Sequence, residues 1–244
     1  MDPRFTEIWP DHSHHFGVTL NQQQLDQFDR YAHLIQTWNQ KINLTRISDW
    51  DEIRLRHFLD SLTMALLRET YPLLDKQHLI DVGTGAGLPG IPLKIAFPDI
   101  TLTLLDSVSK KTQFLESVVK ELGLTRTDVI HERVETIGQN GAHRERYDVV
   151  VARSVAYMAV LAEYLLPLCA LGGYVVAFKG ERAKEEVKAS QSAIAQLGGN
   201  VREILPIELP NVNDRHFLVV IEKVASTPAK YPRKAGMPSK RPLG

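Results

Sequence analysis

The stretch LIDVGTGAGLPGIPL, Leu79 to Leu93, carries strand-like LIDV into the turn GTGAG, with a helix expected from about Leu88–Pro89. Glycines let the backbone turn sharply and bring a ligand against main-chain N–H groups at the carboxyl end of a strand. The letters Gly85-Ala-Gly87-Leu-Pro-Gly90 satisfy the dinucleotide pattern G-x-G-x-x-G. Two features point elsewhere: the pattern starts two residues late, and Asp81 stands immediately inside the turn. A pyrophosphate wants bare N–H groups and a helix N-terminus, and a carboxylate beside it would repel it. S-adenosyl-L-methionine carries an ammonium and a sulfonium and has no phosphate, so it tolerates that neighbour. No G-x-x-x-x-G-K-[ST] run supports an ATP loop.

Working outward, the middle of the chain alternates strand and helix. Strand patterns fall at 78–82, 101–106, 128–132, 147–152 and 173–178, with helical patterns between them, among them KKTQFLESVVKELG and VLAEYLLPLCALGG. Such alternation predicts a parallel sheet covered on both faces. VREILPIEL and HFLVVIEK then read as an antiparallel edge joined through PNVNDR. Before the core, Leu25, Phe28, Ala32, Ile35, Trp38 and Ile42 share one helix face, with Thr19 and Gln22 as a candidate capping box. A second helix from near Asp49 should turn Ile53, Phe58, Leu62 and Leu66 inward. The expected organisation is a helical extension over 1–72 packed on the core, a cofactor-binding core over 73–224, and a basic tail over 225–244. The tail has four prolines and no acidic residue, and reads as extended.

At 244 residues the chain can bury a sizeable core, and 43% apolar with 24% charged residues is ordinary for a water-soluble protein. A formal net charge of zero leaves any nucleic-acid affinity to uneven placement of charge. The single cysteine, Cys169, excludes an intramolecular disulfide framework and a multi-cysteine zinc site, and fits a cytoplasmic location. No apolar run is long enough to span a bilayer, and the start does not read as a signal peptide. The N-terminal histidines 12, 14 and 15 read as a mobile polar segment rather than a metal site.

Candidate contacts follow from the strand ends. Asp106 closes TLTLLD, where a carboxylate can accept both ribose hydroxyls of a nucleoside; the competing reading is a helix cap. After the third strand, Val134 is placed to pack on an adenine and Glu135 to lie near its edge. Arg153 follows the fourth strand, fixing cofactor or acceptor or else serving as a structural ion pair. Lys179 and Arg182 follow the fifth, and Lys230, Arg233, Lys234, Lys240 and Arg241 make the tail suited to phosphate contact.

The acceptor chemistry is narrowed by what the chain lacks. Cys169 lies in the apolar run LLPLCALGG and reads as a core thiol, not a nucleophile for cytosine methylation. After the fourth strand stands VVVARSVA, without the Pro-Pro turn common in exocyclic-amine methyltransferases. A guanine N7 has an in-plane lone pair and no proton to remove, so positioning alone can supply most of the rate. A site with no evident acid–base pair is consistent with it.

Eight stretches together resemble one family: NLTRI (43–47), RHFLDSL (56–62), DVGTGAGLPGIPL (81–93), LLDSVSKK (104–111), RVE (133–135), ARSVA (152–156), FKG (178–180) and KYPRKAGMPSKRPL (230–243). The chain resembles the glucose-inhibited division protein B family, also called ribosomal RNA small-subunit methyltransferase G. That resemblance implies an α/β, Rossmann-like methyltransferase fold, with a seven-stranded mostly parallel sheet, helices on both faces and a helical N-terminal extension. It implies an enzyme that uses S-adenosyl-L-methionine to methylate N7 of a guanine (position 527) in bacterial 16S rRNA or the small subunit, and a monomer is expected. Carried over by position, the cofactor contacts are Gly83, Leu88, Asp106, Ser107, Val108, Val134, Glu135 and Arg153, with no catalytic base and no metal. Arg233, Lys234, Lys240 and Arg241 would meet RNA, as would Lys179 and Arg182 on the crevice rim. Rival readings are a methyltransferase for a small molecule or protein, an NAD-dependent oxidoreductase, and a silent RNA-binding scaffold.

Overall fold

A computed structural model describes residues 16–47, 49–75, 77–210, 212 and 214–244. The three N-terminal histidines and two residues of PNVNDR lie outside the described residues. Helix α1 (Gln22–Asn39) starts at a capping box, but Asn21 and Gln24 form it, two residues beyond Thr19 and Gln22. Asn21 supplies the cap oxygen one residue before the first helical turn, where Thr19 cannot reach. Composite helix α2 is capped by Asp49 and passes from α (Trp50–Glu52) through π (Ile53–Leu59) and α (Asp60–Leu62) to 3-10 (Thr63–Leu67). These changes of pitch shift the buried face: Ile53, Phe58 and Leu62 are buried as expected, whereas Leu66 is exposed and Leu67 takes the inward position.

The core runs β1 (His78–Val82), α3 (Gly90–Ala96), β2 (Thr101–Asp106), α4 (Ser109–Glu121), β3 (Thr127–His131), α5 (Val134–Ile137), β4 (Tyr147–Arg153), α6 (Met158–Leu165), β5 (Cys169–Lys179), α7 (Ala183–Gln196), β6 (Gly199–Ile207) and β7 (His216–Lys223). The seven strands form one sheet in the order β3-β2-β1-β4-β5-β7-β6. The first five are mutually parallel, while β7 pairs antiparallel with both β5 and β6. The chain winds outward from β1 to β3 and then returns to β4 on the other side, so the switch point lies between β1 and β4, where α/β sheets bind ligands. Strands β1, β2 and β7 fall where the alternation and apolar runs place them.

One helix is shorter than its apolar pattern. The pattern over VLAEYLLPLCALGG ends as helix at Leu165, and Cys169 already pairs with Tyr147 as β5 begins. Pro167 cannot continue a helix, and a continuous apolar run does not by itself separate buried helix from buried strand. Cys169 is fully buried, and burial pushes its thiol up to about 12, which leaves it a core residue.

Two apolar layers cover the sheet. One joins Phe28, Tyr31, Ile35, Phe58 and Leu62 of the N-terminal helices to Leu79, Leu102, Leu104 and Val149 of the strands. The other joins Ile80, Val150, Val175 and Val219 to α6 and α7. The N-terminal extension is therefore one face of the sandwich.

The tail is not extended. Tyr231 is buried, Thr227 is buried, and residues Met237–Lys240 form a short helix, α8. Its Arg233 makes a charge-assisted pair with Glu163 (2.6 Å), a fully buried carboxylate of α6 that also accepts the Arg233 backbone N–H. An unpaired buried carboxylate is costly, so a tertiary partner folds a segment that local propensity leaves open.

Candidate functional site

At the carboxyl ends of β1, β2 and β3 lies a cavity of about 290 Å³. Gly83, Asp106, Ser107, Val108, Val134 and Glu135 line it, as the sequence predicts. Lys111, Glu132, Arg133, Ser154, Val155 and Tyr164 line it too and were not singled out. Lys111, Arg133, Ser154 and Val155 had a signal, since they lie within LLDSVSKK, RVE and ARSVA. Tyr164 had none, because it stands within an apolar helical run.

Gly83 takes φ +67°, and a Cβ there would meet Val155 at 2.9 Å, so this turn needs glycine. Gly85, at φ +62°, has nothing closer than 4.0 Å to such a Cβ, so its glycine is required by the backbone conformation rather than by space. Its N–H donates to Asp106 Oδ2 (2.9 Å), while Val108 N–H donates to Asp106 Oδ1 (2.9 Å). Asp106 thus organises the turn, and with about four lone-pair sites on a carboxylate it retains acceptor capacity for a ligand.

The glycine turn makes a poor anion site. The buried Asp81 accepts from Gly90 N–H (2.8 Å) and from the Thr84 hydroxyl (2.5 Å). Ile91 N–H is taken by Gly87 O, and Pro92 has no N–H to give. The first turn of α3 therefore offers no free donor to a pyrophosphate. Asp81 Oδ1 is buried without a protein hydrogen-bond partner, and burial pushes the Asp81 carboxyl up to about 6. An acceptor beneath the turn suits a ligand that carries donors and positive charge. The turn is also braced from outside the core: the Tyr31 hydroxyl of α1 donates to Ala86 O, and its ring stacks on Phe58 at 5.1 Å.

Two expected contacts are placed differently, and a third is already engaged by the tail. Leu88 is buried in the apolar core and does not line the cavity. Arg153 points away from the cofactor cavity to Asp60 Oδ2 (2.8 Å) and Arg56 O (3.1 Å); its structural ion-pair reading holds, and it lines a second cavity next door. Glu135 lines the cofactor cavity but already accepts from Gly236 N–H of the tail (2.9 Å).

The cations divide as well. Lys179 is held by Glu186 (2.6 Å) and Ala156 O, and Arg233 by Glu163. Both were expected at RNA; their heads are engaged within the fold, Arg233 by a fully buried carboxylate that needs a partner and Lys179 by a half-buried one. Arg182, Lys234, Lys240 and Arg241 remain exposed. Among the described residues, no helix is long and apolar enough to cross a membrane.

Comparison with known proteins agrees with this geometry. The family model for rRNA small subunit methyltransferase G matches residues 24–218. A relative from Alkaliphilus metalliredigens, a ribosomal RNA small subunit methyltransferase G, is 47% identical over 97% of this chain and 98% of its own length. One of the same name from Roseiflexus castenholzii is 49% identical over 93% and 95%. In fold, the chain is similar to a SAM-dependent methyltransferase from Aquifex aeolicus, with a TM-score of 0.55, 17% identity, and coverage of 75% of this chain and 97% of that one. The cofactor expected from the sequence, S-adenosyl-L-methionine, agrees with the family and with this fold. The chain belongs to the rRNA small subunit methyltransferase G family.

Proposed function

We propose that the protein transfers a methyl group from S-adenosyl-L-methionine to N7 of a guanine, position 527 on the family resemblance, in the 16S rRNA of the bacterial small ribosomal subunit. The observation that carries the cofactor choice is the occupied N-terminus of α3: Asp81 and the turn take its donors, which disfavours a dinucleotide and suits a cationic nucleoside. Asp106 would hold the ribose hydroxyls, Val134 the adenine face, and the turn at Gly83, which lines the cavity, the methionine part. When bound, the cofactor supplies a sulfonium methyl that passes to the N7 lone pair, while the S–C electron pair stays on sulfur and no proton is released. The chain's own work is then to orient the base and keep water out.

RNA would be met by the exposed cations Arg182, Lys234, Lys240 and Arg241, with the protein acting as a cytoplasmic monomer. The test is mass mapping of 16S rRNA, taken from a strain lacking the gene, after incubation with the protein and labelled S-adenosyl-L-methionine. Label on N7 of one guanine is expected; label on a protein or small molecule instead would sink the reading. Asp106→Ala should weaken cofactor binding by roughly 1.5–3 kcal/mol for each hydrogen bond lost, seen by calorimetry.

A further inference from the structure

A second cavity, of about 160 Å³, opens beside the cofactor cavity, and Ser154 lines both. Ser154 takes φ +57°, a left-handed conformation that costs energy in a non-glycine residue and is met at functional sites. One side of the second cavity is apolar, from Phe178 and Leu218, which are register partners on β5 and β7. The other side is polar, from Asp60, Arg153 and His216. An apolar lining with a few convergent polar groups is the arrangement that takes an unstacked nucleobase.

The polar side is built by the π-helical stretch of α2. There the Asp60 N–H turns to Leu55 and His57, and the Arg56 carbonyl receives the Arg153 guanidinium. Asp60 is 4% exposed; Arg153 Nη1 bonds its Oδ2 at 2.8 Å and His216 Nδ1 its Oδ1 at 3.1 Å. Burial pushes the Asp60 carboxyl up, but the bonds from His216 and Arg153 outweigh it and hold it below its usual value. An ionised carboxylate only accepts, so His216 is the donor, and each oxygen keeps a lone pair beyond its protein bond.

We infer that this second cavity seats the acceptor guanine, whose N1–H and N2–H meet the Asp60 carboxylate, and that His216 is the positioning residue that holds that carboxylate. Ser154 in both walls puts a base seated here next to a cofactor in the first cavity, as in-line transfer requires. Adenine presents a lone pair at N1 where guanine presents N1–H, so the carboxylate repels it; a site built to pair a substrate donor discriminates strongly against an analogue that lacks it. The inference rests on the guanine reading above.

Gly180 offers a test that spares the fold, because it lines this cavity and a Cβ there meets nothing within 4 Å. Gly180→Leu should plug the cavity and lower methyl transfer to rRNA about a hundredfold, the scale of a misplaced substrate, with cofactor affinity and Tm unchanged. His216→Ala should lower kcat by about tenfold, the loss of one hydrogen bond, with less change in KM. His216→Gln, which keeps a donor, should restore most of it; a purely structural role would move Tm and leave that split absent. Guanine-N7 label from the wild type, with Gly180→Leu or His216→Ala undiminished, overturns this inference alone. Wild-type label at any other atom overturns the guanine reading and this inference together.

Discussion

Helix α1 and the tail over 225–244 lie at opposite ends of the chain and both brace the cofactor cavity, yet only one of them was legible. The Tyr31 hydroxyl of α1 supports the glycine turn at Ala86, while the tail supports the far wall through Gly236 to Glu135 and Ser239 to Tyr164. Helix α1 carries its own pattern, an apolar stripe and a cap, so its fold is local information. The tail has no period; its order comes from partners that lie dozens of residues away, above all Glu163. A basic, proline-rich composition reads as a phosphate-binding arm unless the buried acid that receives it is known.

The sharpest way to break this comparison is Arg233→Ala. It leaves Glu163 buried without its cation, at a cost of about 3–5 kcal/mol, measurable by urea denaturation, and should open the tail to limited proteolysis. If Arg233 served only RNA, stability would not change. Removing 225–244 should accordingly weaken cofactor binding as well as RNA activity, whereas an extended arm would leave cofactor affinity intact.

Acid separates the N-terminal extension, here through α2, from the tail. Burial, helped by Arg153, lowers His57 of α2 to about 4 from an ordinary value of 6.5. The unfolded chain therefore binds more protons in that window, and the stability from a neutral His57 is present above pH 6.5 and lost as pH falls toward about 4. Where the tail begins, burial would raise the Glu145 carboxyl, but Thr227 N–H and Lys223 hold it below 4.5, so its contribution is lost only at lower pH. Asp81 runs the other way, its contribution being present below 3.8 and lost as pH rises through about 6. His57→Gln should therefore flatten the fall in Tm between pH 6.5 and 5 relative to wild type. Hydrogen exchange at pH 5 should loosen α2 before the tail; the reverse order would reject the assignment.

Two smaller changes probe α1. Tyr31→Phe leaves the Ala86 carbonyl without its donor and should cost about 1–3 kcal/mol, with a weaker cofactor affinity because the turn loses its brace. An unchanged dissociation constant would confine Tyr31 to packing. Asn21→Ala removes the helix cap, for about 1 kcal/mol, and should leave the cofactor affinity alone. An equal effect on binding would show that α1 acts on the turn as a rigid lever.

Much of the site was readable because ligand contacts at strand ends follow from alternation and from a few polar residues in fixed places. The same reading places Asp106, Ser107, Val108, Val134 and Glu135 on the wall of the cavity, where the structure has them. Leu88 failed because a residue next to a glycine turn can face core or ligand, and a sequence does not say which. Arg153 failed in a related way. An arginine after a strand finds whichever carboxylate is nearest, and Asp60 comes from a helix 93 residues away. His216 gave no signal at all, since a histidine opening an antiparallel strand is unremarkable until Asp60 is beside it.

By itself, the sequence determined the sheet's strands, the glycine turn, the amphipathic first helix and the cofactor class, since each depends on residues close in the chain and on their periodicity. Tertiary structure alone decided the pitch of α2, the docking of the tail, and the partition of Arg153 and Arg233 into ion pairs. Burial makes a lone charge costly, so the fold pairs these groups across long separations that no local pattern records.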